Sequence, residues 1–202
     1  MPNMNPNGMD LQKLATQGME QLRLEFHAGL AADTNLLIDD RLRPISNLIF
    51  RLRTAVHPED YANGWPTYGI YKDKVVDANI TPFPVNIMFM FKDVAEIKFS
   101  TGYVLRCLPV SMINTDKGWQ KASTIVDQLK PSFSGEKYKI KAYITNPDIG
   151  TQELDDVIAI DGTVTHSTIS EKMYFTKTNC GNILLPHLSL RDNNITFIEV
   201  MQ

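Results

Sequence analysis

Cysteine is scarce in this chain. Cys107 and Cys180 are the only two, far apart and in neither a CxxC pair nor a zinc-ligand spacing. A metal-built fold is disfavoured, and two buried free thiols are expected. Long apolar runs are missing too: the longest cover a few residues, far short of the roughly 20 that a membrane helix needs. The first ten residues are rich in Asn and Pro and have neither the positive start nor the apolar core of a signal peptide. A cytoplasmic protein, or one within a virion assembled in the cytoplasm, is expected, with no membrane partner.

Charge of one sign is not in excess. The net charge is -3; residues 1–66 hold 6 basic and 8 acidic side chains, and the remainder 14 and 15. With no basic tail or domain to neutralise phosphates, nucleic-acid binding is disfavoured. No Gly-rich phosphate loop occurs and no nucleophile stands in a recognisable local setting, so no cofactor is expected. At 202 residues the chain suits one domain, or one and a half, and can bury roughly 70% of its unfolded surface around a core.

What is present is a change of period near Pro58 to Gly69. Before it, Leu11, Leu14, Ala15, Gly18, Leu22 and Phe26 keep to one helical face after a capping Asp10. Pro44 suits the first turn of a second helix carrying Ile45, Leu48, Ile49, Leu52 and Val56, which stops before Pro58. After it, strand patterns dominate: Val85 to Phe91, Val94 to Phe99, Tyr103 to Leu108, Lys137 to Ala142, Met173 to Thr178, Ile183 to Leu188 and Ile195 to Met201. Asp161-Gly162 is read as the tight turn of a hairpin over Val157 to Ile169. Asp116 is read as the cap of a helix near 116–130 with Trp119, Ala122, Ile125, Val126 and Leu129 inward. The expected fold class is α+β, with N-terminal helices packed on a mainly antiparallel β-rich body. The division falls into a 1–58 arm and helical segment and a 67–202 body, or one continuous domain.

Several clusters carry candidate chemistry. Arg41, Arg43, Arg51 and Arg53 flank the stripe of Leu48, Ile49 and Leu52 and form a candidate partner surface, with a solvated helix face beside Asp39-Asp40 as the plainer reading. Lys137, Lys139 and Lys141 alternate along one strand face, as lysines guarding a sheet edge do. Asp148, Glu153, Asp155, Asp156 and Asp161 make an acidic stretch without EF-hand spacing. His57, Glu59 and Asp60 follow a helix end and read as loop residues.

Asp77 followed by Glu96-Ile97-Lys98 resembles the PD-(D/E)xK nuclease pattern, although no Pro immediately precedes Asp77. The resemblance implies that Asp77 and Glu96 hold a divalent cation on neighbouring strands while Lys98 orients or activates the attacking water. The competing reading is the exposed polar face of an amphipathic strand. The leading expectation is a non-enzymatic structural or interaction subunit of a larger oligomeric assembly, a homo-oligomer or one of several subunits. A phage or other viral head, neck or tail protein is one concrete instance. A metal-dependent nuclease and a soluble adaptor for an acidic partner are the alternatives.

Overall fold

Alternating and doubly apolar runs bury best on pleated sheets, and sheet is what most of the described residues form. The computed structural model describes residues 29–48, 64–83, 93–129, 138–146, 150–166, 173–191 and 194–201. In chain order the elements are β1 (Gly29–Ala31), β2 (Asn35–Ile38), β3 (Arg41–Pro44), β4 (Trp65–Tyr71), β5 (Lys74–Phe83), β6 (Asp93–Phe99) and β7 (Val104–Cys107). There follow β8 (Met112–Thr115), β9 (Gly118–Lys121), α1 (Ala122–Leu129), β10 (Tyr138–Asn146), β11 (Gly150–His166), β12 (Met173–Thr178), β13 (Asn182–Arg191) and β14 (Asn194–Val200).

Among the described residues, strands β2 and β3 pair with each other alone, and the other twelve form one antiparallel sheet in the order β10-β11-β6-β7-β1-β12-β5-β4-β13-β14-β8-β9. Because β10 also pairs with β14, Ala142 facing Ile198, the sheet closes on itself. Its interior is one apolar core that includes Leu30, Leu36, Ile45, Leu48, Ile97, Leu105, Ile140 and Ile198. Residues on both sides of the Pro58 to Gly69 stretch thus share a core. Among the described residues no helix is long and apolar enough to cross a membrane.

The expected α+β class is corrected to a mainly antiparallel β fold. Among the described residues, helix is confined to residues 45–48 and α1. Residues 10–28, on which most of the first expected helix falls, lie outside the described residues, as do Ile49, Leu52 and Val56. Residues 29–44, which lead into the second expected helical stripe, form three strands. Leu36-Leu37-Ile38 is an unbroken apolar run that β2 buries completely, and Asp39 and Asp40 both adopt left-handed φ of 51° and 57°. Two such residues joining strands make a tight hairpin turn, with Ile38 opposite Arg41. The expected strand over Val85 to Phe91 also lies outside the described residues.

Three smaller readings change as well. Gly118–Lys121 is a strand, because Thr115 Oγ1 accepts from Lys117 N at 3.1 Å and donates to Gly118 O at 2.7 Å, closing the β8–β9 turn. The helix therefore begins at Ala122, and it buries Ala122, Ile125, Val126 and Leu129 as its spacing requires. Asp161-Gly162 turns no hairpin. Strand β11 runs through it, leaving β10 as its partner and taking up β6, with a register shift between Ala159 and Asp161. Gly162 is required for another reason: a Cβ there would lie 2.9 Å from Val126 Cγ2, so its absence lets α1 sit on the sheet. The lysines of β10 guard no edge, since the strand is paired on both sides.

Candidate functional site at the start of β1

Strand β1 is wedged between β7 and β12, with Leu30 opposite both Cys107 and Tyr174. Pro109 ends β7 because it cannot extend the ladder, and Ser111 N donates to Leu108 O at 2.9 Å to close a turn. That turn wraps the first residue of β1. Leu108 N donates to Gly29 O at 2.8 Å. Gly29 N donates to Ser111 Oγ at 3.3 Å, and the same hydroxyl reaches Gly29 O at 3.4 Å. Ser111 is fully buried and its carbonyl anchors the start of α1 by accepting from Ala122 N at 2.8 Å.

A backbone amide bonded to a buried serine hydroxyl is a chemically suggestive pairing, and the groups around it limit what it can do. Gly29 has no side chain, and a Cβ built there would lie 2.5 Å from Leu108 Cγ and closer still to Cδ1. Burial pushes the Cys107 thiol up to about 12, an effect partly offset by its hydrogen bond with Ser111, so the sulfur stays protonated. Tyr103 is also raised, first by burial and then by Cys107 and Asp33. Cys107 is buried and Cys180 partly so, and both are free thiols.

Next to Tyr103, His187 packs edge-on against Phe99 and Tyr103 with ring centroids 5.1 and 5.3 Å away. Its Nε2 lies 3.0 Å from Thr101 Oγ1, while Nδ1 is buried without a hydrogen-bond partner among the described residues. Burial lowers its pKa to about 4. The unfolded chain takes up this proton from about pH 6.5 downward, whereas the folded chain does so only near 4. Stability is therefore complete above that window and falls as pH drops through it, by up to about 2–3 kcal/mol. Urea melts on either side of the window are expected to show the loss, and His187→Gln to flatten it.

The residues singled out in sequence are not gathered here. Glu96 and Lys98 share a face of β6, but they belong to an ionic ladder. Asp33 meets Arg106 at 3.6 Å, Arg106 meets Glu96 at 3.7 Å, and Lys98 meets Glu96 at 3.9 Å and Asp161 at 3.5 Å. Asp77 stands on β5, whose neighbours are β4 and β12, and lines a cavity of about 490 Å³ with Asp39, Asp40 and Tyr68. Among the described residues no group of three or more His, Cys, Asp or Glu is placed to hold a metal ion. Leu48 is buried in the core, Arg41 is exposed at a hairpin turn and Arg43 is half-buried. Ile49, Arg51, Leu52 and Arg53 lie outside the described residues. Gly29, Leu108 and Ser111 were missed in sequence; the turn signal of Pro109 directly after an apolar strand was the trace they left.

In fold this chain is similar to solved structures of inteins, the protein-splicing domains. The DnaX mini-intein of Spirulina platensis matches with a TM-score of 0.52 at 13% identity, over 86% of this chain and 98% of that one. The Ssp DnaB mini-intein variant M86 gives 0.52 at 13% identity, over 87% and 96%. The DnaB intein from Synechocystis sp. PCC 6803 gives 0.50 at 13% identity, over 85% and 98%. No protein-family profile matches the chain, and a search of curated proteins finds none similar in sequence. The fold likeness overturns the expectation of a non-enzymatic structural subunit or virion component.

Proposed function

We propose that this chain is a self-processing domain that acts on its own backbone at the peptide bond between Ala28 and Gly29. The observation that carries the reading is the hydrogen bond from Gly29 N to the buried Ser111 hydroxyl, inside a fold shared with protein-splicing domains. An amide nitrogen expelled from an acyl carbon must gain a proton, and Ser111 Oγ is the side-chain group in contact with that nitrogen. Gly29 brings no side chain to accept the acyl group, and Cys107 is held as a thiol. The acyl acceptor is therefore water or an external thiol or amine. Attack on the Ala28 carbonyl carbon then frees residues 1–28 and leaves an amine on Gly29. The free thiols suit a reducing cytoplasm.

A second reading rests on Leu108, whose side chain fills the space beside Gly29. In that reading the fold grips the junction and keeps it uncut. Intact-mass measurements on the full chain over time, with and without dithiothreitol or hydroxylamine, separate the two. Self-processing is expected to release residues 1–28, and Ser111→Ala to slow this by about 10²-fold or more, the usual scale of proton-transfer help. A chain whose mass is unchanged under every condition leaves only the gripping reading.

A further inference from the structure

His187 occupies a bulge in the β13–β14 ladder. Pro186 stands opposite Phe197 and Leu188 opposite Thr196, so His187 is the extra residue with no counterpart across the pair. A bulge re-aims the side chain it carries, and this one sends the imidazole against the β6–β7 hairpin. Phe99 at the end of β6 and Tyr103 just before β7 pack on the ring, and Thr101 in the turn between them meets Nε2. The histidine is 3% exposed, whereas Ser100, Thr101 and Gly102 of the turn are exposed.

This setting suits a neutral ring. An imidazolium carries two N–H donors, and the surroundings of Nδ1 hold no hydrogen-bond partner among the described residues to receive the second. No carboxylate offsets the charge either. Tyr103 is the titratable group in contact, and its phenol stays protonated because burial raises it. Cys107 and Asp33 act on Tyr103, and Asp33 is paired with Arg106. On β14, Glu199 stands opposite Leu184 and is engaged by Asn114, Tyr143 and Asn182. Burial is the sole cause of the lowered pKa of His187.

We infer that His187 and the β6–β7 turn form an acid-sensitive latch: a proton on the imidazole releases the ring from Phe99, Thr101 and Tyr103 and frees the turn from β13 while the rest of the sheet stays closed. In the released state the ring is hydrated and titrates near its ordinary value of 6.5, against about 4 when latched. The released fraction therefore grows as pH falls through that window, by about 10²-fold. Strand β7 runs from this turn to Cys107, opposite Leu30, and on to Leu108, whose amide holds Gly29 O. The latch thus sits at the far end of the strand that grips β1.

Amide hydrogen exchange of the full-length chain, followed by NMR and corrected for the intrinsic effect of pH, tests the latch. Phe99 N, bonded to Tyr103 O at 2.9 Å, and Gly102 N, bonded to Phe99 O at 2.9 Å, report the turn; Met201 N, bonded to Met112 O at 2.9 Å, reports the sheet elsewhere. Between about pH 7.5 and about pH 4.5 the protection of Phe99 and Gly102 is expected to fall by about 10²-fold. At the acid end it should lie below that of Met201 and stay insensitive to low urea, because opening the latch exposes little surface. His187→Gln should abolish the pH dependence. Thr101→Val, at an exposed position, should lower the protection of both turn amides by about 3- to 10-fold near neutral pH, the scale of one hydrogen bond, and keeps the test open if the glutamine chain does not fold. Turn amides that track Met201 at every pH and urea concentration, a pH dependence that survives in the glutamine chain, or turn amides indifferent to Thr101→Val would each overturn the latch.

Discussion

Glu199→Ala is expected to cost about 3 kcal/mol or more of folding stability, because each buried donor left unpaired costs about 1–3 kcal/mol. Glu199 is 2% exposed, and its carboxylate accepts from Asn114 Nδ2 at 2.7 Å, Tyr143 Oη at 3.1 Å and Asn182 Nδ2 at 2.8 Å. Those partners come from β8, β10 and β13, while Glu199 itself is on β14. The carboxylate therefore ties together the strands at which the sheet closes. Alanine removes the acceptor shared by the three donors and leaves a cavity; glutamine keeps one acceptor oxygen but turns an NH₂ toward a donor, so an intermediate loss is expected. Urea denaturation of the three chains measures this. Parent-like stability of the alanine chain would show that the network does not hold the seam.

Gly29→Ala is expected to destabilise toward the upper end of the roughly 1–3 kcal/mol typical of an overpacked core. The added Cβ would press on Leu108 Cγ and Cδ1, and Leu108 is fully buried. The diagnostic is a rescue. Leu108→Ala alone opens a cavity and destabilises, but paired with Gly29→Ala it removes the clash. The double variant should then be more stable than the sum of the single losses predicts, by about 0.5–3 kcal/mol, as neighbouring sites commonly show. Simple additivity in the denaturation midpoints would mean that the two side-chain positions do not compete for one space.

Much of the sheet was legible in the chain. The Met173 to Thr178 pattern corresponds to β12 over the same residues, Val94 to Phe99 to β6, and Tyr103 to Leu108 to β7. The helical spacing of Ala122, Ile125, Val126 and Leu129 named the buried face of α1. These segments were readable because alternation or 3.6-residue spacing is a local property, imposed by which side of one element meets the core. No strand was read over Leu36 to Ile38, for a physical reason: a doubly buried strand has no alternation to mark it. Its turn uses two aspartates, without the glycine that most tight hairpins have.

The site was not legible at all. Gly29 and Ser111 are 82 residues apart and meet only because β1 inserts between β7 and β12. Asp77, Glu96 and Lys98 show the converse: the spacing suggested a common site, yet strand order sends Asp77 to one part of the sheet and ties Glu96 and Lys98 into charge pairs in another. By itself the sequence determined which segments extend, which face of α1 is buried, and that the chain lacks the charge excess or cysteine framework of several protein classes. Only the tertiary structure decided that the sheet closes and that Gly29 is gripped between β7 and β12. Those facts depend on pairings between distant strands, which a hydrophobic pattern permits without choosing among them.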